Sequence, residues 1–254
     1  YLHIRTHFSE AMAFVTVEDT PAELRRDVRG NELDFDYESS MRFYLGYQGE
    51  VAEIRFSYWH FDTDVAVSGE TSDPNVNLLD AFGGVALGSA NGQIDTTASV
   101  QMNVFDLQYL RPLSFSRPGL EFVYSAGLRF ADIDQYYDSS VINSTGVGRD
   151  GVFTANFTGV GPHLSLLGQT YHGRQRQFSL LAKGGASLLV GNYDVMSDVT
   201  VSMPGPLLIR STQVAERTRI VPVLETELGG SWRPTDHLTI SAGWLFQSWF
   251  NVGV

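Results

Sequence analysis

Residues 119–131 read Gly-Leu-Glu-Phe-Val-Tyr-Ser-Ala-Gly-Leu-Arg-Phe-Ala. The even positions are apolar: Leu120, Phe122, Tyr124, Ala126, Leu128 and Phe130. The odd positions include Glu121, Ser125, Gly127 and Arg129. A period of two is a strand with one greasy face. The other face mixes charges of both signs with small residues. A strand that is apolar outside and charged or small inside is what a transmembrane barrel needs. The lipid-facing set is therefore expected to include Leu120, Phe122, Tyr124, Leu128 and Phe130.

The same alternation recurs along the chain. Segment 51–61 carries Ile54 and Phe56 on one face and Glu53 and Arg55 on the other. Segment 238–250 carries Ile240, Trp244 and Phe246 against Thr239, Gly243 and Gln247. Arg217, Arg219, Glu225 and Glu227 share a face in 214–231, and Lys183 sits among small residues in 175–191. A charged side chain on the lipid face costs roughly 2–4 kcal/mol at midplane. The expected lumen set is therefore Glu53, Arg55, Glu121, Arg129, Lys183, Arg217, Arg219, Glu225 and Glu227.

Nine strands are expected, near 2–17, 33–48, 51–61, 96–111, 119–131, 152–167, 175–191, 214–231 and 238–250. Helical periodicity is weak; the best short candidate is Pro21–Arg26. Connections alternate in length. Gln48-Gly49-Glu50, Pro112–Pro118, Gly168–Arg174 and Trp232–His237 are short and rich in turn residues. The segments 18–32, 62–95, 132–151 and 192–213 are long. Short periplasmic turns alternating with long outer loops mark an up-and-down antiparallel β-barrel of an outer membrane, about 10–12 strands, as one domain over 1–254. A ninth rising strand leaves the count odd, so a C-terminal strand is expected to be missing, miscounted or supplied by a partner. A barrel of this size has a narrow lumen.

Two irregularities stand out. Thr97, Ser99, Gln101 and Asn103 are odd and polar, but Asp106 and Gln108 are even. A bulge near 104–105 is the preferred account; the alternative is an aromatic belt starting at Phe105. Pro222 implies a bulge or local break in its strand.

The formal net charge is -12, and the four long connections hold 17 acidic and five basic residues, which accounts for all of it. An acidic outer rim would enrich cations at the mouth. No basic stripe exists for nucleic acid. There is no cysteine, so thiolate sites and disulfides are excluded. No apolar run approaches 18 residues, so no transmembrane helix is expected. The chain starts at Tyr1 without an initiator Met, which reads as a mature chain or a fragment. His3 and His7 lack a third ligand, His163 and Ser165 lack an orienting third group, and the Asp62/Asp64 and Asp132/Asp134 pairs match no calcium loop. No catalytic residue, metal or cofactor is expected.

Several stretches carry a family likeness. Phe105–Arg111, Ala126–Gln135, Phe157–Pro162, Leu188–Gly191, Val221–Gly229 and Ala242–Asn251 occur in this order. Together they resemble the Legionella major outer membrane protein-like family of pore-forming outer-membrane proteins, over about residues 100–251. The resemblance implies a bacterial outer-membrane barrel that forms a pore. Expected partners are outer-membrane lipid and small solutes or ions, with a homo-oligomer or an envelope protein as further options. A structural barrel contacting an envelope or surface layer is the alternative.

Overall fold

The computed structural model describes residues 2–4, 12–20, 25–36, 38–73, 76–80, 92–113, 119–172, 177–205, 208–235 and 238–252. Its strands are β1 (Leu2–Ile4), β2 (Met12–Thr20), β3 (Arg25–Glu32), β4 (Glu38–Gln48), β5 (Glu53–Glu70), β6 (Val76–Asp80), β7 (Gly92–Pro112), β8 (Leu120–Asn143), β9 (Gly148–His172), β10 (Phe178–Ser202), β11 (Leu208–Thr235) and β12 (Leu238–Trp249). Nine form one antiparallel sheet in the order β1-β4-β5-β7-β8-β9-β10-β11-β12, curled as a half-barrel. The other three form a small sheet, β3-β2-β6. The all-β, antiparallel, up-and-down architecture is thus established.

The strands outrun the apolar alternation that announces them. Most of 132–151 and 192–213, expected as loops, is strand. β8 and β9 meet at a tight turn where Asn143 Oδ1 accepts the N–H groups of Thr145 (3.0 Å) and Val147 (2.9 Å). Gly146 sits there at φ 78°, a conformation that glycine adopts without a Cβ penalty. The expected first strand is divided between β1 and β2, with 5–11 outside the described residues. Arg25 and Arg26 are strand rather than helix; 21–24 lie outside the described residues.

The length has a physical reason: the two faces exchange polarity partway along β5 and β7 to β11. On β5 the convex face runs Ile54, Phe56, Tyr58, then His60, Asp62, Asp64. Its concave face runs Glu53, Arg55, Ser57, then Trp59, Phe61. The switch falls at one level across the sheet. Tyr58, Phe105, Phe130, Val160, Val190 and Ile220 are successive register partners and end the convex apolar band. The adjacent convex row is His60, Asn103, Asp132, Thr158, Asn192 and Thr218, all polar. Asn103 Oδ1 is 3.0 Å from both the Tyr58 hydroxyl and His60 Nδ1, and the Thr158 hydroxyl donates to Asp132 (2.6 Å).

This corrects the reading of β7. No bulge interrupts 104–105, because both ladders run unbroken through it. The even face, Ile94 through Leu110, is buried throughout. Thr97, Ser99, Gln101 and Asn103 are polar because they lie beyond the convex apolar band, which Phe105 begins. Pro222 causes no register shift against β10, and the ladder to β12 stops one residue before it.

The small sheet covers the far end of the concave face. Leu78 packs on Ile94 and Val141, and Arg149 Nε lies 3.1 Å from Asp80 Oδ2.

Candidate functional site

Within the level of the convex apolar band, the concave face gathers charge. Asp106 on β7 and Arg129 on β8 are direct register partners. Arg129 donates through Nε to Asp106 Oδ1 (2.7 Å) and through Nη2 to Oδ2 (2.9 Å). The same Nη2 reaches Glu225 Oε2 on β11 at 2.9 Å. Three strand steps separate β8 from β11, so the pair closes across the curl of the sheet. Lys183 on β10 donates to Glu225 Oε1 (2.5 Å), and Gln247 on β12 to Oε2 (3.1 Å). Ser57 on β5 adds a bond to Asp106 (3.3 Å). Arg129, Asp106 and Glu225 are 0, 2 and 1 % exposed. The layer is electrically neutral: two cations, two carboxylates.

Glycines make this convergence possible. Gly185 faces Glu225 in register, and a Cβ there would meet Glu225 Cγ at 2.9 Å. Arg129 faces Gly161. His163, fully buried on β9, is 2.8 Å from the Ser187 hydroxyl through Nδ1. Ser165 instead bonds Ser125 (2.6 Å). Among the described residues His163 Nε2 has no partner, so the Ser187–His163 pair lacks the third group that nucleophilic catalysis uses to orient a base. No group of three metal-ligating side chains occurs among the described residues.

Beyond the charge layer, toward the small sheet, the concave face turns apolar. Trp59, Phe61, Val104, Ile133, Phe157, Leu189 and Val223 pack with Phe35 and Val252. The Val252 carbonyl accepts from Gln135 Nε2 (3.0 Å) and the Tyr193 hydroxyl (3.2 Å). On the other side of the layer, toward the short turns, lies a cavity of about 180 Å³. A larger hollow, about 470 Å³, opens on the convex face beside Phe178, Trp232 and Ile240 and belongs to the apolar band.

The expected lumen residues divide by level. Glu53 and Arg55 pair at 2.7 Å near the β4–β5 turn. Glu121 accepts from the Tyr171 hydroxyl (3.1 Å). Glu227 is beside the cavity. Arg219 lies past the apolar band, stacked 3.9 Å over the Tyr193 ring, and Arg217 is exposed beyond it. Asp62, Asp132, Asp134 and Asp194, expected to rim a vestibule, stand instead on the convex wall past the band. Burial, and behind it the neighbouring Asp132, raises the Asp134 carboxyl above its ordinary range. At the far tip of β10–β11, the hydrogen bond from Arg210 holds Asp198 below it.

Asp106 and Arg42 are absent from the lumen set expected from sequence, whereas Gln247 stands on the face that the alternation of 238–250 assigns it. The tight turn after Gln48 supplies the signal for Arg42: pairing Gln48 with Glu53 puts Arg42 on the face of Ser57 and Trp59.

A family described as the Legionella pneumophila major outer membrane protein precursor matches residues 1–253. The match reaches well ahead of residue 100, where the quoted motifs begin. No curated protein matches the chain.

Proposed function

Because the chain belongs to the Legionella pneumophila major outer membrane protein family, a family of the bacterial outer membrane and not of enzymes, we propose that it forms a narrow channel, closed at rest, for ions or small hydrophilic solutes. The observation that carries this is the charge layer. Ionisable groups at membrane depth are expensive and mark solute or ion paths. A barrel built only as an anchor has no use for Arg129, Asp106, Lys183 and Glu225 in its interior, since well-packed apolar residues would serve stability as well or better.

The convex band supports the membrane frame. From Leu120 to Phe130 a strand climbs about 33 Å at ~3.3 Å per residue. Tilted by 35–45°, that spans about 25 Å, the height of an outer-membrane apolar belt. The exposed apolar side chains Leu45, Phe56, Leu107, Leu164, Leu224 and Trp244 all lie on it. Leu164→Arg, near mid-band on β9, is expected to cost about 2–4 kcal/mol of folding stability in bilayers. Asn156→Arg, on the same convex face but past the polar row, should stay within about 0.5 kcal/mol. Equal losses in urea titrations would contradict the placement of the boundary.

A second reading, a structural barrel contacting an envelope or surface layer, is favoured by the apolar packing of Trp59, Phe157 and Leu189 across the concave face. Planar-bilayer recording of the purified, folded protein separates the two. The channel reading expects small, infrequent stepwise currents. Silence at every voltage would leave only the structural barrel.

A further inference from the structure

The cavity on the short-turn side of the charge layer carries two charges that nothing among the described residues neutralises. Its walls include Arg42 from β4 and Glu227 from β11, together with Ser57, Gln108, Ser125 and Ser165. The other charged groups that line it are already committed. Asp106 is held by Arg129, Lys183 by Glu225, and Arg55 by Glu53. Lys183 is the direct register partner of Glu227 but turns its ammonium to Glu225. Among the described residues, neither Glu227 nor Arg42 has an ion-pair partner. Arg42 makes one long hydrogen bond, Nη1 to the Tyr44 hydroxyl at 3.3 Å. Its Nε is shielded from solvent and unbonded. A buried donor left empty costs about 1–3 kcal/mol; the Nη1–Nη2 edge, not the shielded Nε, is the side of the guanidinium left to take a carboxylate in a two-pronged contact.

We propose that this cavity is a binding site for small zwitterions of the α-amino acid class. The carboxylate sits on Arg42 and the ammonium on Glu227; Ser57, which donates to Asp106, and the mutually bonded Ser125 and Ser165 offer their remaining lone pairs to the ammonium. One free positive and one free negative wall match a ligand with both charges and no net charge. A monovalent anion or cation leaves one wall unpaired. At about 180 Å³ the space equals roughly six waters at ~30 Å³ each. That leaves room for an amino acid of alanine's size.

The assignment rests on the concave face being a solute path, and the test separates the two ideas. Folded protein in detergent is titrated calorimetrically with L-alanine, propionate and ethylammonium. L-alanine should bind at least tenfold more tightly than either single-charge analogue. Arg42→Gln should weaken alanine at least tenfold. Glu227→Gln should abolish the preference for alanine over propionate. Alanine no tighter than propionate overturns the site, and so does unchanged affinity in both variants. The wild-type comparison decides even where a variant misfolds. Alanine binding without bilayer conductance keeps the site and removes the channel; conductance without alanine binding does the reverse.

Discussion

Arg129→Met is expected to lower the stability of the folded protein in detergent by about 3–5 kcal/mol, the usual penalty for breaking a buried ion pair from one side. Arg129 supplies three of the bonds that hold the layer together, two to Asp106 and one to Glu225. Without it, Asp106 keeps only the Ser57 hydroxyl at 3.3 Å among the described residues. Glu225 keeps Lys183 and Gln247, so the deficit concentrates on Asp106, a carboxylate that is 2 % exposed. Adding Asp106→Asn should therefore recover most of the loss, because the stranded charge and not the missing contact dominates. Urea midpoints of wild type, single and double variants report this directly. A double variant no more stable than Arg129→Met would refute the assignment. On the proposed channel function, the single variant should open more often in bilayers than wild type, since Glu225 no longer ties β11 to β8 across the curl.

The alternation in 119–131 is enough to tell the convex from the concave face of β8. Periodicity alone reports sidedness, and 119–131 keeps a single phase because it ends at the edge of the apolar band. The same logic fails on β7 for a reason that is general to this architecture. Polar residues mark the concave face only inside the apolar band. Past the row of Tyr58, Phe105 and Phe130 the protein behaves like a soluble sheet, with Asn103 and Gln101 outward and Val104 and Met102 inward. The pattern suggests a one-residue shift where the medium, not the register, has changed. The acidic side chains of the same zone mislead for the same cause. Asp132 and Asp134 continue the convex phase of Leu128 and Phe130, so they coat the outer wall.

The charge layer is only half legible in the sequence. Each member's sidedness follows from its own strand, but the contact between Arg129 and Glu225 depends on how tightly the sheet curls over three strands. Nothing in a pairwise strand pattern encodes that curvature except glycine. Gly127, Gly161, Gly185 and Gly191 fall on the concave phase of β8, β9 and β10, and their clustering is the sequence trace of a sharply bent wall.

Gly161→Ala follows from that bend and should have an effect of similar size. An added Cβ at 161 would lie 1.9 Å from the Leu188 carbonyl oxygen and 2.9 Å from Leu189 Cα. Both atoms are backbone, so no rotamer change relieves the clash. The glycine is not needed for a left-handed φ, since the positive-φ glycines of the described residues are 119, 146 and 205. Its role is closeness of approach. At this point the β9–β10 ladder pairs Ser187 with His163 and resumes at Val190 and Val160. The two strands are pressed together between those pairs, opposite Arg129. Parting them enough for a methyl group moves β10 and carries Lys183 away from the layer. The cost should exceed the roughly 1–3 kcal/mol typical of overpacking, and Gly161→Val should not refold at all. Gly184→Ala is the control. It lies on the convex face of the adjacent strand, and nothing stands within 4 Å of the place its methyl group would take. Gly→Ala at an unstrained site is neutral to slightly stabilising. Heat-modified migration on gels gives the folded fraction of each refolded variant. If Gly161→Ala refolds as completely as Gly184→Ala, the wall is not bent by backbone contact, and the meeting of Arg129 with Glu225 needs another cause.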